Sequence, residues 1–193
     1  MWKSIRSQID GDSDISLSAG NTGVLLVISK MILKMMKNIN KPALAGLWPN
    51  KKGLSIVLDL GANIECDSKN LIDFAELGSA LSKSLSPDET PKVALLNIGS
   101  EEIKGTDILK DAFKKLKDLS SENNFIFNGY IEGNNLMNGD SNVIITDGFT
   151  GNIALKTAEG TAKFITTNLK RYLTENFFSK ISLIFSYFSL KKF

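Results

Sequence analysis

The sequence predicts an α/β fold, a doubly wound parallel sheet, on three observations. First, apolar β-branched runs alternate with segments whose apolar residues recur at helical spacing. Second, four such runs, Ile15–Ala19, Leu54–Leu60, Val93–Ile98 and Val143–Asp147, end in small glycine-containing turns. Third, open α/β sheets bind ligands beyond the carboxyl ends of their strands, where these turns lie. The turns therefore predict one shared site, for an anion.

The first half of the chain alternates helix and strand. After the first turn, Asn21 to Lys37 is predicted as a helix, and Lys41–Pro49 as a short extended segment. A turn at Lys51–Gly53 leads into the strand Leu54–Leu60. A helix is then expected from Asp67 to Leu85, because an aspartate before an apolar periodic run is typical of a helix start.

The second half continues this alternation. Thr106 is predicted to cap a helix. The other expected elements are the strands Val93–Ile98, Phe125–Ile131 and Val143–Thr146, a loop over Glu132–Gly139, and a long helix from Gly151 to Phe177. The apolar stripes expected to face the core are Leu71, Phe74, Leu77 and Leu81 on one helix, and Ile108, Leu109, Ala112, Phe113, Leu116 and Leu119 on the next.

The last 17 residues differ in character from the rest. Phe177, Ile181, Ile184, Phe185 and Phe188 share one helical face, with serine and lysine opposite. Such an aromatic amphipathic helix can lie in a membrane interface, or it can pack on the core or on a dimer partner. We therefore divide the chain into an α/β domain, 1–176, and an amphipathic segment, 177–193.

Composition restricts the chemistry. The chain has 193 residues, 42% of them hydrophobic and 23% charged, which suits one domain. Its charge of +2 comes from scattered lysines and indicates no nucleic-acid partner. A single cysteine, Cys66, fits a reducing cytoplasm. We see neither a signal peptide nor a spanning segment.

The sequence contains no histidine. This excludes Ser-His-Asp and Cys-His mechanisms and argues against a zinc site. We expect the site to hold neither a metal nor a cofactor. Catalysis must come from Lys, Asp, Glu, Asn, hydroxyls and backbone amides. Such groups favour chemistry that is driven by positioning and charge stabilisation.

Each turn has two interpretations. Ser18–Gly23 and Asp147–Asn152 lie at strand-to-helix junctions, where they act as anion sites or simply as helix caps. Glu101–Gly105 is a charged loop, and its local sequence by itself favours a loop that is simply exposed to solvent. Lys156 either pairs with Glu159 on the surface or neutralises a bound phosphate.

Taken together and in order, these motifs resemble the bacterial phosphate acyltransferase family of phospholipid synthesis. The resemblance covers about Asp10 to Lys180. Its six motifs are Ser18–Gly23, Lys41–Leu44, Leu58–Asn63, Leu95–Gly99, Asp147–Asn152 and Leu155–Gly160. The fourth motif also includes Glu101, Glu102, Lys104 and Gly105.

The resemblance implies reversible transfer of a fatty acyl group from acyl–acyl-carrier protein to inorganic phosphate, giving acyl phosphate for phosphatidic acid synthesis. It implies a three-layer α/β/α sandwich related to isocitrate dehydrogenases and phosphotransacetylases. It also implies a homodimer, cytoplasmic but peripherally bound to the membrane, that supplies a membrane glycerol-3-phosphate acyltransferase. Family members are longer at both ends, so we expect this chain to hold an incomplete, truncated version of the fold.

Phosphate is already a nucleophile at neutral pH, so the site must position it near the thioester carbonyl and stabilise the developing oxyanion. Lys104, Asn152 and Lys156 are predicted to donate hydrogen bonds or supply positive charge, and Asp147 to orient a lysine or an amide. The predicted phosphate- or substrate-binding residues are Ser18, Gly20, Asn21, Thr22, Gly23, Asn63, Gly148 and Gly151.

Rival functions remain open at this point. One is a phosphotransacetylase-like enzyme that acts on acyl–coenzyme A. Another is a non-catalytic remnant that binds carrier protein, a partner subunit or the membrane surface. A nicotinamide dehydrogenase is disfavoured because the chain lacks the dinucleotide-binding glycine pattern.

Overall fold

The computed structural model describes residues 1–120, 125–175 and 185–186. The chain divides into two compact units, Met1–Asn152 and Ile153–Phe193. The domain boundary predicted at residues 176 and 177 lies outside the described residues, as does most of the amphipathic segment 177–193.

The first unit contains a five-stranded sheet with the order β1-β2-β5-β3-β4. The β2, β5, β3 and β4 strands run parallel, and β1 is antiparallel at one edge. The predicted α/β fold with a mainly parallel sheet is therefore confirmed. The strands are β1 Gly46–Asn50, β2 Gly53–Leu58, β3 Lys92–Asn97, β4 Ile126–Glu132 and β5 Val143–Ile145.

The helices follow the predicted order, but a 3-10 helix lies in the predicted loop Glu132–Gly139, and the long last helix begins at Gly148 rather than Gly151. An N-terminal helix, Trp2–Ile9, precedes the predicted ones, and the helix predicted to reach Lys37 ends at Leu33 because Lys34 adopts a φ of +64°. No helix within the described ranges is long and apolar enough to cross a bilayer. The helices are α1 Trp2–Ile9, α2 Thr22–Leu33, α3 Ser68–Leu85, α4 Asp107–Leu119 and α5 Gly148–Thr174, with a 3-10 helix at Gly133–Asn138.

Two predicted helix starts are confirmed by their capping bonds. The Asp67 carboxylate accepts a hydrogen bond from the Asn70 amide, and the Asn70 side chain accepts one from the Asp67 amide. At α4, Thr106 Oγ1 accepts a hydrogen bond from the Leu109 amide. These local bonds fix where α3 and α4 begin after their loops.

The connections between strands place structure on both faces of the sheet. The chain passes from β2 to β3 to β4 in one direction and returns from β4 to β5 in the other. Because crossovers between parallel strands are right-handed, α3 and α4 cover one face and the 3-10 helix crosses the other. Strand residues on both faces are accordingly buried, as Leu95 and Ala94 illustrate.

One predicted strand is wrong. Ile15–Ala19 forms no strand, and the side chains of Ile15 and Leu17 are 80% and 90% exposed. Alternating apolar and polar residues indicate a strand only where the apolar side is buried against other elements, and here it faces solvent.

Two residues of the predicted core stripes also lie outside the core. Leu81 and Ile108 are exposed at 38% and 44%. On α3, small residues take part in the contact with the sheet instead, since Ala75 and Gly78 are buried. A Cβ atom at Gly78 would lie 2.6 Å from Val143 Cγ1 and 2.9 Å from Leu58 Cδ2. The close approach of α3 to the sheet therefore requires glycine at this position.

We expect Gly78→Val to lower the free energy of unfolding by about 1–3 kcal/mol, because the added carbons overlap the side chains of β2 and β5. Urea unfolding measures the effect. The matched control is Gly160→Ala, because a Cβ at this position meets no atom within 4 Å. The higher helix propensity of alanine should raise the free energy of unfolding of this variant by about 1 kcal/mol. A Gly78→Val variant as stable as the wild type would show that α3 packs less closely than described.

Candidate functional site

Three of the predicted turns lie at the carboxyl edge of the sheet. Asp59–Asn63 follows β2, Gly99–Gly105 follows β3, and Asp147–Asn152 follows β5. Because β5 lies between β2 and β3 and all three run parallel, the turns after them meet along one edge. This is the place expected for a ligand in such a sheet.

Asp59 is at the centre of the turn after β2. Its side chain is fully buried. Oδ1 accepts hydrogen bonds from the amides of Leu44, Gly61 and Ala62 at 3.1, 3.1 and 2.9 Å. Oδ2 accepts from the backbone amide and from Nδ2 of Asn63, both at 2.7 Å. Sequence reasoning missed this residue, although a charged side chain at the end of an apolar strand was a signal for it.

The first turn of α5 lies directly against this turn. The Gly148 amide donates to the Asn63 carbonyl at 2.8 Å, and a Cβ on Gly148 would lie 2.4 Å from the same oxygen. A Cβ on Gly151 would lie 2.0 Å from the carbonyl oxygen of Asp59. Gly148 and Gly151, predicted as ligand-binding, thus have a packing role because they let two backbone segments approach closely.

Asn152 also lies beside the turn after β2. Its Cβ and Cγ atoms are 3.5 Å from the position that a Cβ of Gly61 would occupy, and Gly61 has a φ of +129°. The structure therefore brings Asn63, Gly148, Gly151 and Asn152 together, although they are distant in sequence.

The side chains of Asn63 and Asp147 are engaged within the protein. Asn63 Nδ2 donates to the Pro42 carbonyl at 2.6 Å as well as to Asp59. Asp147 accepts from the Thr150 amide at 2.8 Å and from Thr150 Oγ1 at 2.7 Å, which caps α5. The contacts with substrate predicted for these two residues remain predictions.

Lys104 lies in the loop after β3. Its Nζ is 2.9 Å from Glu101 Oε1, and the hydrogen bond from Lys104 holds the pKa of Glu101 below its ordinary value. The loop is shaped by Asn97, whose Nδ2 donates to the Lys104 carbonyl at 3.1 Å. A Cβ on Gly105 would lie 2.6 Å from Asn97 Oδ1. Asn97 is buried, and sequence reasoning missed its role because it lies inside the predicted strand Val93–Ile98.

The Ser18–Gly23 turn has the bonds of a helix cap. Ser18 Oγ accepts from the Gly20 amide at 3.1 Å, and Asn21 Oδ1 accepts from the Val24 amide at 3.0 Å. The amides of Thr22 and Gly23, in the first turn of α2, have no acceptor within the helix. Within residues 1–120 and 125–175, no hydrogen bond joins this turn to the one that contains Asp59.

Lys156 belongs to the second unit, where its Nζ is 2.7 Å from Glu159 Oε2. The surface ion pair considered for these residues is present, and both side chains are more than half exposed. A role in phosphate binding remains a prediction for Lys156.

Cys66 lies beside the turn but carries no sign of activation. Its Sγ is 3.8 Å from the Asn63 carbonyl, and its side chain is half-buried. Burial raises the pKa of the thiol above its ordinary value, which disfavours the reactive thiolate at neutral pH. These surroundings are those of a structural thiol rather than of a nucleophile.

A cavity of about 440 Å³ lies at the other edge of the sheet, near the amino ends of the strands. Its lining includes Lys52, Lys92 and Asp140, and Lys52 Nζ is 2.7 Å from Asp140 Oδ1. None of the predicted site residues lines this cavity.

We expect Gly151→Ala to lower the free energy of unfolding by about 3 kcal/mol, because the new methyl overlaps a backbone oxygen that cannot rotate away. Urea unfolding gives the value, with Gly160→Ala in the same helix as the control. Equal stability of the two variants would contradict the close approach of α5 to Asp59.

The comparisons with known proteins point to one family. The family described as "Fatty acid synthesis protein" matches residues 1–193. The phosphate acyltransferase of Pelagibacter ubique (strain HTCC1062) is 63% identical over 193 residues, which are all of this chain and 58% of that protein. The phosphate acyltransferase of Brucella canis is 43% identical over 186 residues, 96% of this chain and 54% of that protein. The chain thus spans about half the length of the curated relatives that it matches.

Among solved structures, EutD phosphotransacetylase from Staphylococcus aureus is similar with a TM-score of 0.57, over 76% of this chain and 49% of that one. At 23% identity this likeness concerns the fold alone, and it agrees with the phosphotransacetylase-like architecture that the motifs implied. The relatives named phosphate acyltransferase likewise agree with the resemblance seen in the motifs. Since the family match extends over every residue, the chain belongs to the fatty acid synthesis protein family, which is the phosphate acyltransferase family of phospholipid synthesis.

Proposed function

We propose that the chain takes part in the reversible transfer of a fatty acyl group from acyl–acyl-carrier protein to inorganic phosphate, giving acyl phosphate for phosphatidic acid synthesis. The observation that carries the proposal is the 63% identity, over all 193 residues, to a protein named phosphate acyltransferase. The convergence of three turns at the carboxyl edge supports it.

The chemistry suits the groups at this edge. An oxygen of hydrogen phosphate attacks the thioester carbonyl carbon to give a tetrahedral intermediate. As this intermediate collapses, the carbon–sulfur bond breaks and the proton of the hydrogen phosphate passes to the leaving sulfur, which gives acyl phosphate and the carrier-protein thiol. Phosphate needs no strong general base, so the protein has to position it and to donate hydrogen bonds to the developing oxyanion. Lysine ammonium groups, side-chain amides and backbone amides can do both without histidine.

We assign Lys104, Asn152 and Lys156 to donor or charge roles and Asp147 to orienting the first turn of α5. The Ser18–Gly23 turn, with the α2 amides, is proposed to contact phosphate. Lys104 supports this assignment because its amine is half-exposed on the loop after β3, and its partner Glu101 lies on the same loop. An exposed ion pair of this kind is worth little, so phosphate can compete for the lysine.

Association with other molecules is also part of the proposal. The described part of the second unit exposes Phe164, Ile165, Leu169 and Tyr172 on α5. Apolar side chains in this number support a homodimer or a contact with the membrane surface. We propose both, with a membrane glycerol-3-phosphate acyltransferase as the recipient of the acyl phosphate.

The decisive assay is the phosphate-dependent release of free thiol from long-chain acyl–acyl-carrier protein by the purified 193-residue chain. We expect release that saturates with phosphate. Turnover of acyl–coenzyme A alone would favour a phosphotransacetylase-like enzyme instead. A folded sample that binds carrier protein or vesicles without releasing thiol would favour the non-catalytic alternative.

We expect Lys104→Ala to raise the KM for phosphate about tenfold or more, since a hydrogen bond to a charged group contributes roughly 1.5–3 kcal/mol. Lys156→Ala is expected to act in the same direction. The matched control is Lys52→Ala, which removes an ion-paired lysine from the opposite edge of the sheet. A lysine whose removal leaves the phosphate dependence unchanged does not belong to the site.

A further inference from the structure

We propose that Asp59 is a positioning residue, whose buried carboxylate holds the Gly61–Asn63 turn and the first turn of α5 in one arrangement. What the positioned groups bind rests on the proposed function. The positioning itself rests on the hydrogen bonds and close contacts of Asp59, and it has its own measurement.

The carboxylate joins segments that are separate in sequence. Its five N–H donors come from Leu44, which precedes β1, and from the turn that follows β2. The Asp59 amide donates to the Thr146 carbonyl at 2.9 Å, and the Thr146 amide donates to the Leu58 carbonyl at 2.8 Å. Asp59 therefore links the turn to the ends of both β2 and β5.

Asn63 transmits this constraint to α5. Its backbone amide and Nδ2 bind Asp59, while its carbonyl accepts the Gly148 amide at 2.8 Å. The Asp59 carbonyl in turn lies directly against Gly151. Any shift of the turn must therefore move the start of α5, together with Asn152, which lies beside Gly61.

The contacts require an aspartate. An ionised carboxylate is an acceptor at both oxygens, which matches five donors and no acceptor. Asparagine at this place would direct its own N–H groups toward backbone N–H groups and leave buried donors unpaired. Glutamate would add a methylene group where the side chain is fully buried. Both oxygens are occupied and shielded from solvent, so Asp59 acts through its neighbours and does not touch substrate.

The test compares Asp59→Asn with Asp73→Asn in the full chain. Asp73 is also a buried carboxylate, at 6% exposure, but it pairs with Lys69 one helical turn away on α3. In Asp59→Asn we expect the amides of Leu44, Gly61, Ala62 and Gly148 to exchange hydrogen about tenfold faster. In Asp73→Asn the exchange of these amides should stay as in the wild type.

Equilibrium titration with inorganic phosphate provides the second measurement. We expect Asp59→Asn to weaken phosphate binding about 10- to 100-fold, because the Gly61–Asn63 turn and the first turn of α5 no longer hold their groups in the binding geometry. Asp73→Asn should leave the affinity for phosphate unchanged. Unchanged exchange and unchanged phosphate affinity in a folded Asp59→Asn variant would overturn the proposal.

A second variant tests the same hydrogen bonds through a different residue. If Asp59→Asn does not fold, Leu44→Pro removes a single donor to Oδ1, and faster exchange must then appear at Gly61 and Ala62. Unaltered exchange at these amides would overturn the proposal. If the wild-type chain binds no phosphate, the proposed function fails, while the exchange comparison still decides whether Asp59 positions the two turns.

Discussion

The buried carboxylate of Asp59 is the constraint on which the carboxyl edge of this structure depends. A carboxylate removed from water is tolerated only when its oxygens are fully hydrogen-bonded, and here five N–H groups meet that demand. Those bonds give the Gly61–Asn63 turn its shape and hold Leu44 beside it. The packing of α5 follows, since Gly148 bonds to the same turn.

The glycines of this protein serve two different physical purposes. Gly61 and Gly105 adopt positive φ values in turns, where other residues would be strained. Gly78, Gly148 and Gly151 are needed because a Cβ atom would collide with a neighbouring element. A glycine-rich motif at the end of a strand can therefore indicate close packing of a helix against a turn as readily as ligand binding. In this chain, Gly148 and Gly151 are required for that packing.

The candidate site combines a rigid part and an exposed part. The rigid part consists of the turns after β2 and β5, whose polar groups are largely bonded to one another. The exposed part is the loop after β3, where Lys104 and Glu101 pair at the surface and buried Asn97 fixes the loop from below. Such a division suits the proposed binding of phosphate, because fixed groups define the geometry while an accessible cation can exchange its partner.

The sequence alone determined the features whose physical causes are local. Asp67 and Thr106 cap their helices through residues three positions away, and the strands β2, β3 and β5 were recognisable from their nearly continuous apolar residues. The strand predicted at Ile15–Ala19 was wrong, because the burial of its apolar side chains depends on which other elements pack against them. Only the tertiary structure decided the role of Asp59, since one donor is 15 residues away at Leu44 and the neighbouring Gly151 is reached only through the pairing of β2 with β5. Long-range hydrogen bonds and steric limits of this kind leave no periodic signal, so they become visible only when the chain is folded.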